Sequence, residues 1–144
     1  MKLLVLNGPN LNLLGRRKPE IYGRKTLDEI MVELGAYLAE KGAEVEFFQS
    51  NHEGELIDRI HSSIGNIDGI VFNPGAFSHY SYALRDAIES AEIPCVEVHL
   101  SDIHNRESFR AVSVIEPVCA AQVSALGDRS YFVGADILLS RLGG

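Results

Sequence analysis

Short apolar runs that stop after five or six residues alternate along this chain with longer runs of helical spacing, and that alternation limits the fold more than any other feature. Residues 2–7 (KLLVLN) read as a buried strand halted by Gly8-Pro9. Residues 44–49 (EVEFFQ), 69–74 (GIVFNP) and 95–100 (CVEVHL) read as three more, and 118–124 (VCAAQVS) as a weaker fifth. Near-continuous apolar strands are what a parallel sheet covered on both faces requires. Between them lie helices. Thr26 and Glu29 have capping-box spacing and open a run with Leu27, Ile30, Met31, Leu34 and Leu38, which Gly42 ends. Leu56, Ile57, Ile60 and Ile64 make a second apolar stripe. Ser78 is the expected cap of a third helix carrying Tyr82, Leu84, Ala87 and Ile88. The last helix spans about 128–142, and 101–117 reads as a loop with one helical turn.

Five β-α units in 144 residues predict an α/β fold: one doubly wound, five-stranded parallel sheet. The expected order is flavodoxin-like, 2-1-3-4-5, in a single domain over 1–144. In that order the crevice lies outside the carboxyl ends of strands 1 and 3. The residues following strands 1, 3 and 4 should then share one edge. They include Asn7 to Asn10, Asn73, Gly75, Ala76, Ser78, His79, His99, Ser101 and Asp102. The first connection is unusually long, with about 18 residues between Asn7 and Thr26, against the usual ~2–6. It carries Arg16, Arg17, Lys18, Tyr22 and Arg24. Residues 10–25 are either a surface loop with solvated charges or a lid that brings cations and a tyrosine over an anionic ligand.

Composition narrows the partners. Thirteen basic against twenty acidic residues leave a net charge of −7, the wrong sign for a general nucleic-acid surface. An anionic ligand must be captured by particular arginines against that background. Cys95 and Cys119 lie in apolar runs without CxxC spacing and read as buried thiols, not as a metal site. No run approaches the ~20 apolar residues of a membrane span, and the opening apolar run is too short for a signal peptide. A soluble, cytoplasmic protein is the expectation.

Three segments carry a resemblance. LNGPNLNLLGRRKPEIYG, from Leu6 to Gly23, resembles the N-terminal signature of type II 3-dehydroquinate dehydratases; Asn7, Gly8, Pro9, Asn10, Gly15, Arg17, Tyr22 and Gly23 fall in place. NPGAFSHYSYALRDAI and EVHLSDIHNRESFR resemble the family's second and third segments, in the right order and with similar spacing. The resemblance implies dehydration of 3-dehydroquinate to 3-dehydroshikimate through an enol or enolate, without metal, organic cofactor or lysine Schiff base. It implies that Tyr22 removes the proton next to the ketone while Arg17 holds Tyr22 ionised. It implies that His99 protonates the departing hydroxyl and that Glu97 orients His99. Asn10 and Asn73, with nearby backbone groups including Gly75 and Ala76, would position substrate or a water. His79, Leu100, Ser101 and Arg110 would bind hydroxyls and the carboxylate of a small anionic carbocycle. Asp86 would reach substrate across a subunit boundary, in a homododecamer built as a tetramer of trimers. The chain departs from the family pattern at Asp102, at Ala111-Val112, and in the approach to the last helix, which lacks the usual glycines.

Elementary energetics fit those roles. A tyrosine with pKa near 10 needs a downward shift of about 3 units, or ~4 kcal/mol, to act as a base near neutrality. One charge about 4 Å away supplies ~4 kcal/mol at an effective dielectric of about 20. Glu97 and His99, two apart on a strand, share a face, and a carboxylate beside an imidazole favours its proton-donating form. A plain ion pair is the alternative for these two, and a capping or hydrogen-bonding role the alternative for His79. A flavodoxin-like binding or signalling module is the rival function. A flavin carrier would need a Ser/Thr-rich phosphate loop after strand 1, where GPNLNLLGRRK stands. A phosphoacceptor would need acidic residues where Asn7 and Asn73 stand.

Overall fold

The computed structural model describes residues 1–16 and 18–143, without the side chains of Pro19 and Tyr22. Among the described residues, five strands form one parallel sheet in the order β2-β1-β3-β4-β5. They are β1 Lys2–Asn7, β2 Glu44–Gln49, β3 Gly69–Asn73, β4 Cys95–Val98 and β5 Ala121–Val123. The helices are α1 Pro19–Tyr22, α2 Leu27–Glu40, α3 Glu53–Ser63, α4 Tyr82–Ala91 and α5 Arg129–Gly143. The expected order therefore holds. Strands 3 to 5 end earlier than their apolar runs, at Asn73, Val98 and Val123.

Alternation along each strand sends side chains to two separate cores. Leu3, Val5, Val71, Val96 and Val98 pack with Leu34 and Leu38 of α2 and Tyr131, Ala135 and Leu138 of α5. Leu4, Leu6, Ile70 and Phe72 pack with Leu56 and Ile60 of α3 and Leu84 and Ile88 of α4. α5 lies close on the sheet because Gly134 has no side chain; a Cβ there would stand 2.5 Å from Val98 Cγ1. The capping box of α2 is present in both directions, Glu29 N to Thr26 Oγ1 at 3.1 Å and Thr26 N to Glu29 Oε1 at 3.1 Å.

Several expectations are corrected. α4 is capped by Ser81, whose Oγ accepts from Leu84 N at 3.1 Å, not by Ser78. Ser78 lies in a 3₁₀ turn, Gly75–His79, that fills the gap between β3 and α4. Tyr82 and Ile64 are exposed, since each sits at a helix end beyond the buried stripe. Residues 101–117 hold turns at Ile103–Asn105 and Ser108–Arg110, with a third, Glu116–Val118, leading to β5. Asp102 opens the first of these by accepting from His104 N at 3.1 Å. The long first connection is not bare either: Leu11–Leu13 forms a turn and α1 follows it.

Candidate active site

The carboxyl ends of β1, β3 and β4 open on one cleft. It is lined by Pro9, Asn10, Leu11, Asn73, Gly75, Ala76, His79, His99, Leu100, Ser101, Ile103, Arg106 and Arg110. Of the residues singled out in the sequence, Asn10, Asn73, Gly75, Ala76, His79, His99, Leu100, Ser101 and Arg110 meet here. Glu97 supports the cleft from behind. Asp86 is exposed on α4 and is not part of this lining. Arg17 and the side chain of Tyr22 lie outside the described residues.

The loops after β1 and β3 interlock. Gly8 N donates to Asn73 O at 2.8 Å, and a Cβ on Gly8 would meet Pro74 O at 2.5 Å. Gly75 takes φ +58° with Pro9 O 3.2 Å from where its Cβ would be. Asn10, in the left-handed region at φ 68°, is held by its N–H to Asn51 Oδ1 at 2.9 Å. Asn7 and Asn73, register partners at the ends of β1 and β3, are both buried and joined through one phenol. Tyr131 Oη donates to Asn7 Oδ1 at 2.6 Å and accepts from Asn73 Nδ2 at 3.0 Å. Burial pushes that phenol well above the usual tyrosine range, partly offset by the Asn73 hydrogen bond, so it stays a neutral donor.

β4 delivers the strongest constellation. Glu97 is wholly buried and His99 nearly so, and His99 Nε2 lies 2.5 Å from Glu97 Oε2. Ser113 Oγ reaches both Glu97 oxygens, at 2.9 and 2.8 Å. An ionised carboxylate only accepts, so the hydrogen in the Glu97–His99 contact belongs to Nε2, and Nδ1 is the nitrogen free to serve the cleft. Backbone bonds fix the same stretch: His99 N to Val123 O at 2.9 Å, Gly127 N to Leu100 O at 3.0 Å and Ala125 N to Ser101 O at 3.1 Å.

Two cations and a second histidine complete the lining. Arg110 ion-pairs with Glu107, whose carboxyl is held below its ordinary range by that guanidinium. Arg106 Nη1 is 3.3 Å from Ser101 Oγ. His79 Nδ1 lies 2.8 Å from Val112 O, an acceptor, so Nδ1 carries the hydrogen. Burial lowers the pKa of His79 against the opposing pull of that carbonyl. Among the described residues His79 thus hydrogen-bonds a backbone carbonyl, and it neither caps a helix nor pairs with a carboxylate.

Sequence reasoning did not assign Ser113, Arg106 or Tyr131. Ser113 and Tyr131 are distant in sequence from what they hold, and no motif spacing marks them. Arg106 lay within a recognised segment but had no signal separating it from surface arginines. Cys95 is buried as expected and Cys119 half-buried beside it. Among the described residues no three His, Cys, Asp or Glu side chains converge as metal ligands, and no helix is long and apolar enough to cross a membrane.

The cleft's residues coincide with a match along almost the whole chain: residues 1–139 fit the family described as Dehydroquinase class II. The chain belongs to that family. As a class II dehydroquinase it is 56% identical over 143 residues to the 3-dehydroquinate dehydratase of Desulfitobacterium hafniense, covering 98% of this chain and 97% of the relative. It is 52% identical over 140 residues to the 3-dehydroquinate dehydratase of Bacillus pumilus, covering 97% and 95%. The crystal structure of type II dehydroquinase from Butyrivibrio crossotus superposes with a TM-score of 0.94 at 48% identity, covering 96% of this chain and 97% of that one. Membership in this family sets aside the flavodoxin-like binding or signalling module, in accord with the buried, amide-capped strand ends at Asn7 and Asn73.

Proposed function

We infer that the chain is a type II 3-dehydroquinate dehydratase of the shikimate pathway, a hydro-lyase that converts 3-dehydroquinate to 3-dehydroshikimate through an enol or enolate. The observation that carries its chemistry is the buried Glu97 holding His99 Nε2 at 2.5 Å, at the edge of a cleft lined by Arg106 and Arg110. In this reading His99 gives a proton from Nδ1 to the departing hydroxyl, and Glu97 with Ser113 fixes the ring that gives it. General acid catalysis by one placed group is worth about 10²–10⁴-fold.

Tyr22 is the base and Arg17 the cation that keeps it ionised, both brought by the 10–25 segment acting as a lid. The lid role is supported by the way the segment returns on itself: a Cβ on Gly15 would stand 3.0 Å from Arg24 O. Asn10 and Asn73, with the Gly75 and Ala76 backbone, orient the substrate. His79, Leu100, Ser101 and Arg110 hold its hydroxyls and carboxylate. For Arg110 this means exchanging Glu107 for the substrate's carboxylate. The chemistry asks for no metal or organic cofactor.

Asp86 serves a neighbouring subunit's cleft in an assembly of trimers, twelve chains in all; its exposure on α4, away from its own cleft lining, supports that role. The same reading makes the whole chain one catalytic domain and includes a cytoplasmic location. Mixing the purified protein with 3-dehydroquinate and following the ultraviolet absorbance of the conjugated product tests the activity. A flat trace from folded protein would refute it.

A further inference from the structure

The hydroxyl of Tyr131 stands inside an otherwise apolar core. The residue lies in the first turn of α5, has no exposed surface, and is the largest fully buried side chain among the described residues. It belongs to the core cluster that holds Val71, Val96, Val98 and Leu34. A phenylalanine would satisfy that packing; the oxygen needs its own reason.

The hydrogen bonds around it run in one direction. Asn73 Nδ2 donates to Tyr131 Oη, and Tyr131 Oη donates to Asn7 Oδ1. On its other side Asn73 Oδ1 accepts from Gly75 N at 3.2 Å. Reversing the Asn73 amide would turn its NH₂ onto the Gly75 N–H. It would also turn its carbonyl onto a hydroxyl whose hydrogen is already given to Asn7. The amide therefore has one orientation, with one Nδ2 hydrogen committed to Tyr131. Asn73 also borders the cleft.

We propose that Tyr131 is a positioning residue: its hydroxyl locks the Asn73 amide so that the second Nδ2 hydrogen is offered to an oxygen of the substrate, and it ties the ends of β1 and β3 into one edge. The inference rests on the reading of Asn73 as a substrate contact. Tyr131 touches no substrate and acts from α5, an element outside the three segments that carry the resemblance.

Tyr131→Phe keeps the ring and removes only the oxygen. A double-mutant cycle with Asn73→Ala separates positioning from packing. kcat/KM for 3-dehydroquinate is expected to fall about tenfold in Tyr131→Phe, the scale of one neutral hydrogen bond. In the Asn73→Ala background the same change is expected to cost less than about twofold, because the group it positions is gone. A purely structural tyrosine would give the same loss in both backgrounds. That result, or wild-type kcat/KM in folded Tyr131→Phe, overturns the proposal. If Tyr131→Phe does not fold, Asn7→Ala replaces it in the cycle, since it keeps the phenol and removes its acceptor. The same two outcomes decide. A wild-type protein without turnover would overturn the dehydratase reading and this inference together. Wild-type turnover with equal losses in both backgrounds overturns this inference alone.

Discussion

The part of the cleft that carries His99 grows out of the sheet, whereas the part that comes from β1 is made of loop. His99 follows β4 directly; its partner Glu97 is wholly buried, and Ser113 and backbone bonds from Val123 to Gly127 brace both. Along residues 10–25 only Leu11 and Leu14 are buried among the described side chains, while Arg16, Lys18, Glu20 and Arg24 are exposed. That segment's outer end is tied by Lys25, whose amine meets Glu33 at 2.9 Å and Asp128 at 3.2 Å on the surface. Exposed ion pairs of this kind hold weakly. The difference shows how an enzyme of this size divides its labour. In the function proposed above, the acid is preorganised by burial, and the base is carried on a segment able to admit substrate.

Removing the proposed proton carrier from each side probes that division most strongly. Tyr22→Phe and His99→Ala should each lower kcat by about 10²–10⁴-fold. Their melting temperatures should diverge: His99→Ala strips a partner from a buried carboxylate and should melt lower, while Tyr22→Phe should melt like the wild type. Equal melting losses in the two variants would break the comparison.

Ser113→Ala sharpens it on the sheet side. Glu97 would lose a hydrogen bond to a charged group, costing about 1.5–3 kcal/mol of stability. Denaturant titration should read that loss, and kcat should fall about tenfold as the His99 ring gains freedom, a factor equal to one ordinary hydrogen bond. An unchanged kcat would mean that Glu97 needs no help to hold His99.

Gly8→Ala tests the joint between the loops. Its Cβ would press on the backbone of Pro74 at 2.5 and 2.8 Å, with no flexible side chain to yield. Overpacking of this kind costs about 1–3 kcal/mol, which at this size is roughly 2–4 °C of melting temperature per kcal/mol. A wild-type melting curve would show that the two loops part easily.

The smallest effect concerns pH. His79 has its pKa lowered from 6.5 in the folded protein, chiefly by burial. Its contribution to stability is whole above the unfolded value and shrinks as pH falls from about 6.5 through the folded value, because the unfolded chain takes up the proton first. Melting curves between pH 7 and pH 5, roughly the range where histidine titrates, should fall a little more steeply for wild type than for His79→Gln. Parallel curves would remove His79 from the pH response.

Most of the fold was legible because apolar period and turn residues act locally. The capping box at Thr26 and Glu29, the stop at Gly8-Pro9 and the five apolar runs all appear where local rules put them. The limits of local reading appear at helix ends. Ser78 and Ser81 are equally good caps by composition, and Val114 N bonding Ser78 O at 2.7 Å is a long-range contact that helps keep Ser78 in the turn. The loop at 101–117 shows the same limit, since its turns depend on Asp102 and on contacts with distant residues.

The sequence by itself determined the alternating α/β order, the edge where polar residues collect, and the pairing of Glu97 with His99, since each follows from spacing along one stretch of chain. Tertiary structure alone decided that Ser113 would hold Glu97, that Tyr131 would join Asn7 to Asn73, and that Arg106 would border the cleft. Those partners are 16, 124, 58 and 5 residues apart. Such contacts depend on how helices seat on the sheet and loops fold over its edge. Packing fixes these arrangements, and no pattern along the chain encodes them.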